Sequence, residues 1–99
     1  MSLKTKSYKY ESFQVFFRGC GRGSYKKVNA YLPRKMVALG IQASVVESSS
    51  HYLLDFSGEM SRLGVNPLYD LVHWLRKRDW VSNLRVERGE HAIVKQSWK

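Results

Sequence analysis

Acidic residues are nearly missing from the first third of this chain. Residues 1–35 carry one, Glu11, against nine Lys and Arg, and so hold +8 of the chain's net +9. Residues 36–70 carry four acids and only Arg62, and residues 71–99 return to +4. A surplus this lopsided excludes an acidic, self-solvating segment at the front. It favours polyanionic partners bound in a salt-dependent way.

Cysteine is as scarce. Cys20 stands alone among 99 residues, so no internal disulfide forms, and zinc sites built on two or more thiolates are excluded. The composition fits a reducing cytoplasm. His51, His73 and His91 lack ligand spacing, so neither metal nor cofactor is expected. No apolar run approaches the roughly 20 residues of a membrane span, and the lysine-bearing start has no apolar stretch of a secretory signal. No carboxylate pair has a spacing that suggests acid–base work, no nucleotide-binding P-loop or dinucleotide fingerprint is present, and Cys20 reads as an inert loop residue. The chain is therefore expected to be non-enzymatic.

The hydrophobic fraction of 43% is enough to bury a core in one domain of this length. Residues 1–10 read as a basic flexible arm, and residues 11–99 as a single α+β domain. Over Ser12–Arg18, Phe13, Val15 and Phe17 alternate with Gln14, Phe16 and Arg18, the pattern of a strand with two unlike faces. Gly19 to Gly23 is a loop. Ser24 is placed to cap a helix that Gly40 ends, with Tyr25, Val28, Leu32 and Leu39 on one stripe. Pro33 predicts a kink or break; residues 25–32 as a second strand is the other reading. Residues 41–47 read as a half-buried strand, Ser48–Ser50 as a turn, 52–56 as the returning strand and 59–65 as a loop. Asn66-Pro67 predicts a capped helix over 67–80 with Leu68, Leu71, Val72 and Leu75 inward. A strand over 81–87 follows with Leu84 and Val86 inward, Gly89 makes a turn, and 91–96 is a last strand or a tail. The order β-α-β-β-α-β predicts a ferredoxin-like split βαβ sandwich, an antiparallel sheet with two helices on one face.

Three surfaces carry candidate chemistry. Arg18, Arg22, Ser24, Lys26 and Lys27 surround the glycine loop and the start of the first helix, where unpaired amides suit an anion. Arg34 and Lys35 extend this charge. Phe16-Phe17-Arg18 is similar to the end of the anion-loop motif of acylphosphatases. The glycine-valine-glutamine-glycine lead of that family is absent and the glycines here follow the arginine, so that activity is not assigned. On the second helix, Tyr69, His73, Arg76 and Trp80 fall in a narrow stripe, with Lys77 and Arg78 beside it. These residue types anchor partners or stack on unpaired bases. On the sheet, Phe16 lies on the face opposite Phe13 and could stack a base or mark a homodimer contact. Gln42, Ser44, Val46, Leu53 and Asp55 would share that face. Tyr52-Leu53-Leu54-Asp55-Phe56 does not match the third-strand signature of RNA-recognition motifs.

The leading expectation is a basic module for RNA or single-stranded DNA, bound through residues 1–35 and 76–88. The alternative is a protein–protein module docking on an acidic surface through the second helix, such as a small inhibitor or adaptor of a phage or mobile element.

Overall fold

The computed structural model of the protein describes the backbone of residues 3–98 and the side chains of residues 11–90. Four strands, β1 (Leu3–Gly19), β2 (Ser44–Ser48), β3 (His51–Asp55) and β4 (Val81–Trp98), form one antiparallel sheet in the order β2-β3-β1-β4. Helices α1 (Ser24–Leu39), α2 (Met60–Leu63) and α3 (Asn66–Arg76) complete a mixed α+β domain, with a 3-10 turn at Ser57–Glu59.

The alternation in β1 decides which side is covered. Phe13, Val15 and Phe17 are buried, and β3 adds Tyr52 and Leu54. Val28 and Leu32 from α1 and Leu68, Leu71, Val72 and Leu75 from α3 close over them in a single core. Phe13 meets Phe56 and Tyr69 edge-on, and Phe17 stacks on Tyr52 at 4.9 Å. The burial pattern puts both long helices against the same side of the sheet, and their removal would expose all of these side chains.

Several local expectations are corrected. α1 runs unbroken through Pro33, because Val28 and Leu32 anchor the turns before it and Pro33 itself faces solvent. Ser24 is a helical residue rather than the cap; Gly23 precedes it in the left-handed region, with no side-chain cap bond. Tyr25 is exposed instead of joining the apolar stripe. Gly40 ends the helix as expected, its left-handed backbone letting its N–H reach the carbonyls of Met36 and Val37. β2 begins at Ser44 and is exposed throughout, because it is the sheet edge. The segment 59–65 is not a plain loop but holds the end of the 3-10 turn and α2. Asn66 lies inside α3 after Val65, so no asparagine cap forms. α3 stops at Arg76, four residues short of the expected end. Gly89 sits opposite Ser12 in the β1–β4 ladder rather than in a turn.

That ladder spans Leu3↔Trp98 to Gly19↔Val81, with a bulge where Phe16 and Arg18 pair with Arg85 and Ser82. The extra residue falls on β4, where Asn83 has φ of 53°. The basic arm expected over residues 1–10 has its backbone from Leu3 on within β1; its side chains, and residues 1 and 2, lie outside the described residues. So do the side chains of 91–98 and all of residue 99. No helix among the described residues is long and apolar enough to cross a membrane.

Candidate nucleic-acid interface

The cations do not form one continuous sheet of charge. The fold divides the described ones between the uncovered sheet face and the helical layer.

On the uncovered face, strand pairing aligns Val46, Leu53, Phe16 and Arg85 in one row across all four strands. The Arg85 guanidinium lies 4.4 Å from the centre of the Phe16 ring. One row further, Ser48, His51, Arg18 and Ser82 align; on the other side come Ser44, Asp55, Gln14 and Glu87. Phe16, Arg18, His51, Asn83 and Arg85 line a depression of about 270 Å³. The grouping of Gln14, Phe16, Arg18, Ser44, Val46, Leu53 and Asp55 on one face agrees with the alternation, while Gln42, expected with them, precedes β2 and is not in the sheet. As an anion platform this face is weak. Arg85 already pairs with Glu87 at 3.3 Å, and Asp55 and Glu87 place two carboxylates beside the row. Asp55 is firmly ionised: the Ser57 hydroxyl donates to it at 2.5 Å and the Ser57 amide at 3.0 Å, holding its carboxyl below the ordinary value against the opposing effect of burial.

In the helical layer the picture reverses. Lys27, Tyr31 and Lys35 are spaced four apart and so share one stripe of α1. Tyr31 stacks on Trp80 with ring centres 6.4 Å apart, and Trp80 meets Trp74 of α3 edge-on at 5.8 Å. Lys35 Nζ lies 5.9 Å from the centre of the Trp74 ring, and the Arg78 guanidinium carbon lies 4.9 Å from it. Arg78 is fixed further by its Nε donating to the Trp74 carbonyl at 3.2 Å. One indole thus joins a cation from residues 1–35 to a cation two residues past the end of α3. Arg34 on α1, Arg76 on α3 and Lys77 just past the end of α3 are exposed. Among the described residues, no carboxylate pairs with Lys27, Arg34, Lys35, Arg76, Lys77 or Arg78; the ion pairs there are Arg62–Glu59 and Arg85–Glu87.

The glycine loop is braced rather than loose. The Gly19 amide donates to the Ser50 carbonyl at 2.8 Å and the Cys20 amide to the Trp80 carbonyl at 3.0 Å. The Cys20 thiol donates to the Asp79 carbonyl at 3.1 Å. Arg22 and Lys26 are exposed there, while Ser24 is half-buried against Gly19.

The stripe expected on the second helix forms in part: Tyr69, His73 and Arg76 lie on α3, and Trp80 does not. Trp80 lies beyond the end of α3 and is only 4% exposed, and Tyr69 is half-buried on Phe13. His73 and Arg76 remain exposed. Both aromatics serve the core, which removes them as projecting anchors. Phe16, expected as an open stacking surface, is half-buried under Arg85. Tyr31 and Trp74 were not singled out by the sequence, although the spacing Lys27–Tyr31–Lys35 was a signal for the first. Trp74 carried no such signal, since its role comes from Lys35 on another helix. No protein-family model matches this chain, and no curated protein matches it in sequence.

Proposed function

We propose that the protein is a small single-stranded nucleic-acid-binding module whose contact surface is the α1–α3 ridge. The observation that carries this reading is Trp74 in contact with both Lys35 and Arg78, beside a Tyr31 that is 49% exposed. Unpaired cations supply phosphate contacts, and an exposed aromatic ring supplies a stacking surface for an unpaired base. Duplex fits less well, because its bases are already stacked and leave Tyr31 without a role. The second-helix docking alternative loses its aromatic anchors to the core. The same reading takes the element order as a ferredoxin-like split βαβ arrangement, with α2 and the 3-10 turn inside the β3–α3 connection, and it takes the cytoplasm as the compartment.

The test is a fluorescence-anisotropy titration with labelled single-stranded oligonucleotides at several salt concentrations. Binding is expected to weaken as salt rises, with a log–log slope of about −0.7 per phosphate contacted. Lys35→Glu is expected to reduce both affinity and slope, and Tyr31→Ala to reduce affinity with little change in slope. Absence of binding at low salt, or loss of binding in Arg18→Glu but not in Lys35→Glu, removes this surface as the site.

A further inference from the structure

The two edges of the sheet are built differently. β4 carries a bulge at Asn83 and charged Arg85, Glu87 and Arg88, devices that stop another strand from pairing. β2 has no bulge, no cation and no proline over Ser44–Ser48, and it exposes Val45 at 48% and Val46 at 57%. Val37, near the end of α1, and Leu63 of α2 are also exposed apolar residues. α2 is tied to the end of α1 by Arg62, whose guanidinium donates to the Gly40 carbonyl at 3.0 Å. Unlike the rest of the molecule, the stretch 36–70 that contains all four is net negative.

The ladder shows which backbone groups of β2 are free. Phe56 N–H donates to the Phe13 carbonyl and Gly19 N–H to the Ser50 carbonyl, so the even-numbered residues along β3 bond towards β1. His51, Leu53 and Asp55 therefore bond towards β2, engaging Ser48, Val46 and Ser44. Val45 and Glu47 are left with N–H and C=O directed at the open edge.

We propose that β2 pairs antiparallel with β2 of a second copy of this chain about a two-fold axis through Val46. Only an even register keeps like faces of the two sheets together. With Val46 on the axis, Val45 meets Glu47 of the second copy through the free backbone groups of both, and Ser44 meets Ser48. No like charges oppose each other. The strongly basic segments of the two copies stay at a distance, because the edge that joins is the one set in acidic sequence. The pairing makes an eight-stranded sheet whose uncovered face carries two Phe16 residues five strands apart, roughly 24 Å at about 4.8 Å per strand. Five residues bury little area, so the dimer is concentration-dependent rather than obligate. The inference does not rest on nucleic-acid binding.

Sedimentation of nuclease-treated protein up to about 0.5 mM tests it, since a small interface of this kind is expected to be weak. A dimer is expected in the wild type and is expected to be lost in Val45→Pro, which removes an outward N–H without touching the β2–β3 ladder. A second readout does not depend on that variant folding. In a Cys20→Ser background, Val46→Cys is expected to form an intermolecular disulfide on mild oxidation. Facing non-bonded residues lie about 4.5 Å apart at Cα, within disulfide reach. Val45→Cys, which faces Glu47 of the second copy, is expected to cross-link far less. A wild type that stays monomeric over the whole range, or equal cross-linking from both cysteines, overturns the proposal.

Discussion

Gly19 lies where the loop into α1 passes closest to β3. A Cβ on Gly19 would sit 3.0 Å from Ser24 Oγ and 3.3 Å from the Tyr52 ring, so a larger side chain there requires Ser24 or Tyr52 to shift by a few tenths of an ångström. Gly19→Ala is expected to lower stability by about 1 kcal/mol in denaturant unfolding, and less when Ser24 is also changed to Ala, since the Ser24 hydroxyl is the nearest atom the new methyl meets. Asp55 gives a second residue-level test. Its carboxyl is held below the ordinary value by Ser57 first, with Gln14 helping. A depressed folded value stabilises the protein above the unfolded carboxylate range near 4, and the contribution is lost as pH falls through the folded value. Thermal stability is therefore expected to drop on acidification below about pH 4, and to drop less steeply in Ser57→Ala. Tyr52 has the opposite sign. Its buried hydroxyl has no hydrogen-bond partner among the described residues, and desolvation, with Glu47 and Tyr25 nearby, raises its pKa. The stability this contributes is complete below the unfolded phenol value near 10 and falls as pH rises further.

At the scale of elements, α1 is the informative case. Its stripe faces two ways: Val28 and Leu32 enter the core, and Tyr31 and Lys35 reach the Trp80 and Trp74 rings. Pro33 removes one backbone hydrogen bond from the middle of this helix yet contributes no burial. Pro33→Ala is therefore expected to stabilise the protein by about 1–3 kcal/mol, read from the denaturation midpoint. The β2–β3 hairpin shows another compromise. Ser49 and Ser50 both have positive φ, the geometry a two-residue turn requires, in residues that bear it less easily than glycine or asparagine. Periodicity revealed β1, β3 and the inward face of α3, because each buries one side against the core. It misjudged β2, whose Val45 and Val46 look half-buried on paper. Whether a strand lies at an edge depends on its neighbours, and sequence alternation does not encode them.

For the whole molecule, the distribution of charge matters more than its total. The sheet separates two cationic surfaces: one offset by Asp55 and Glu87, the other without paired acids. Reversing charge on the ridge and on the sheet face separately is expected to give unequal losses of oligonucleotide binding. Lys35→Glu with Arg78→Glu should weaken it by tenfold or more, and Arg18→Glu with Arg85→Glu by much less, in the same anisotropy assay. The radius of gyration, 17.2 Å, exceeds the roughly 13 Å of a compact 100-residue domain. The β1–β4 ladder accounts for the excess, since it runs well past the core-facing residues of β1.

The amino-acid sequence alone determined the α+β class, the apolar faces of β1 and α3, the helix stop at Gly40 and the concentration of cations in the first third. Those properties are local: periodicity, backbone freedom and charge count are written residue by residue. Tertiary structure decided that Trp80 and Tyr69 belong to the core, that Phe16 lies beneath Arg85, and that Lys35 and Arg78 meet on Trp74. Each of these depends on which segments distant in the chain become neighbours, and burial and pairwise charge take their values only after that packing is complete.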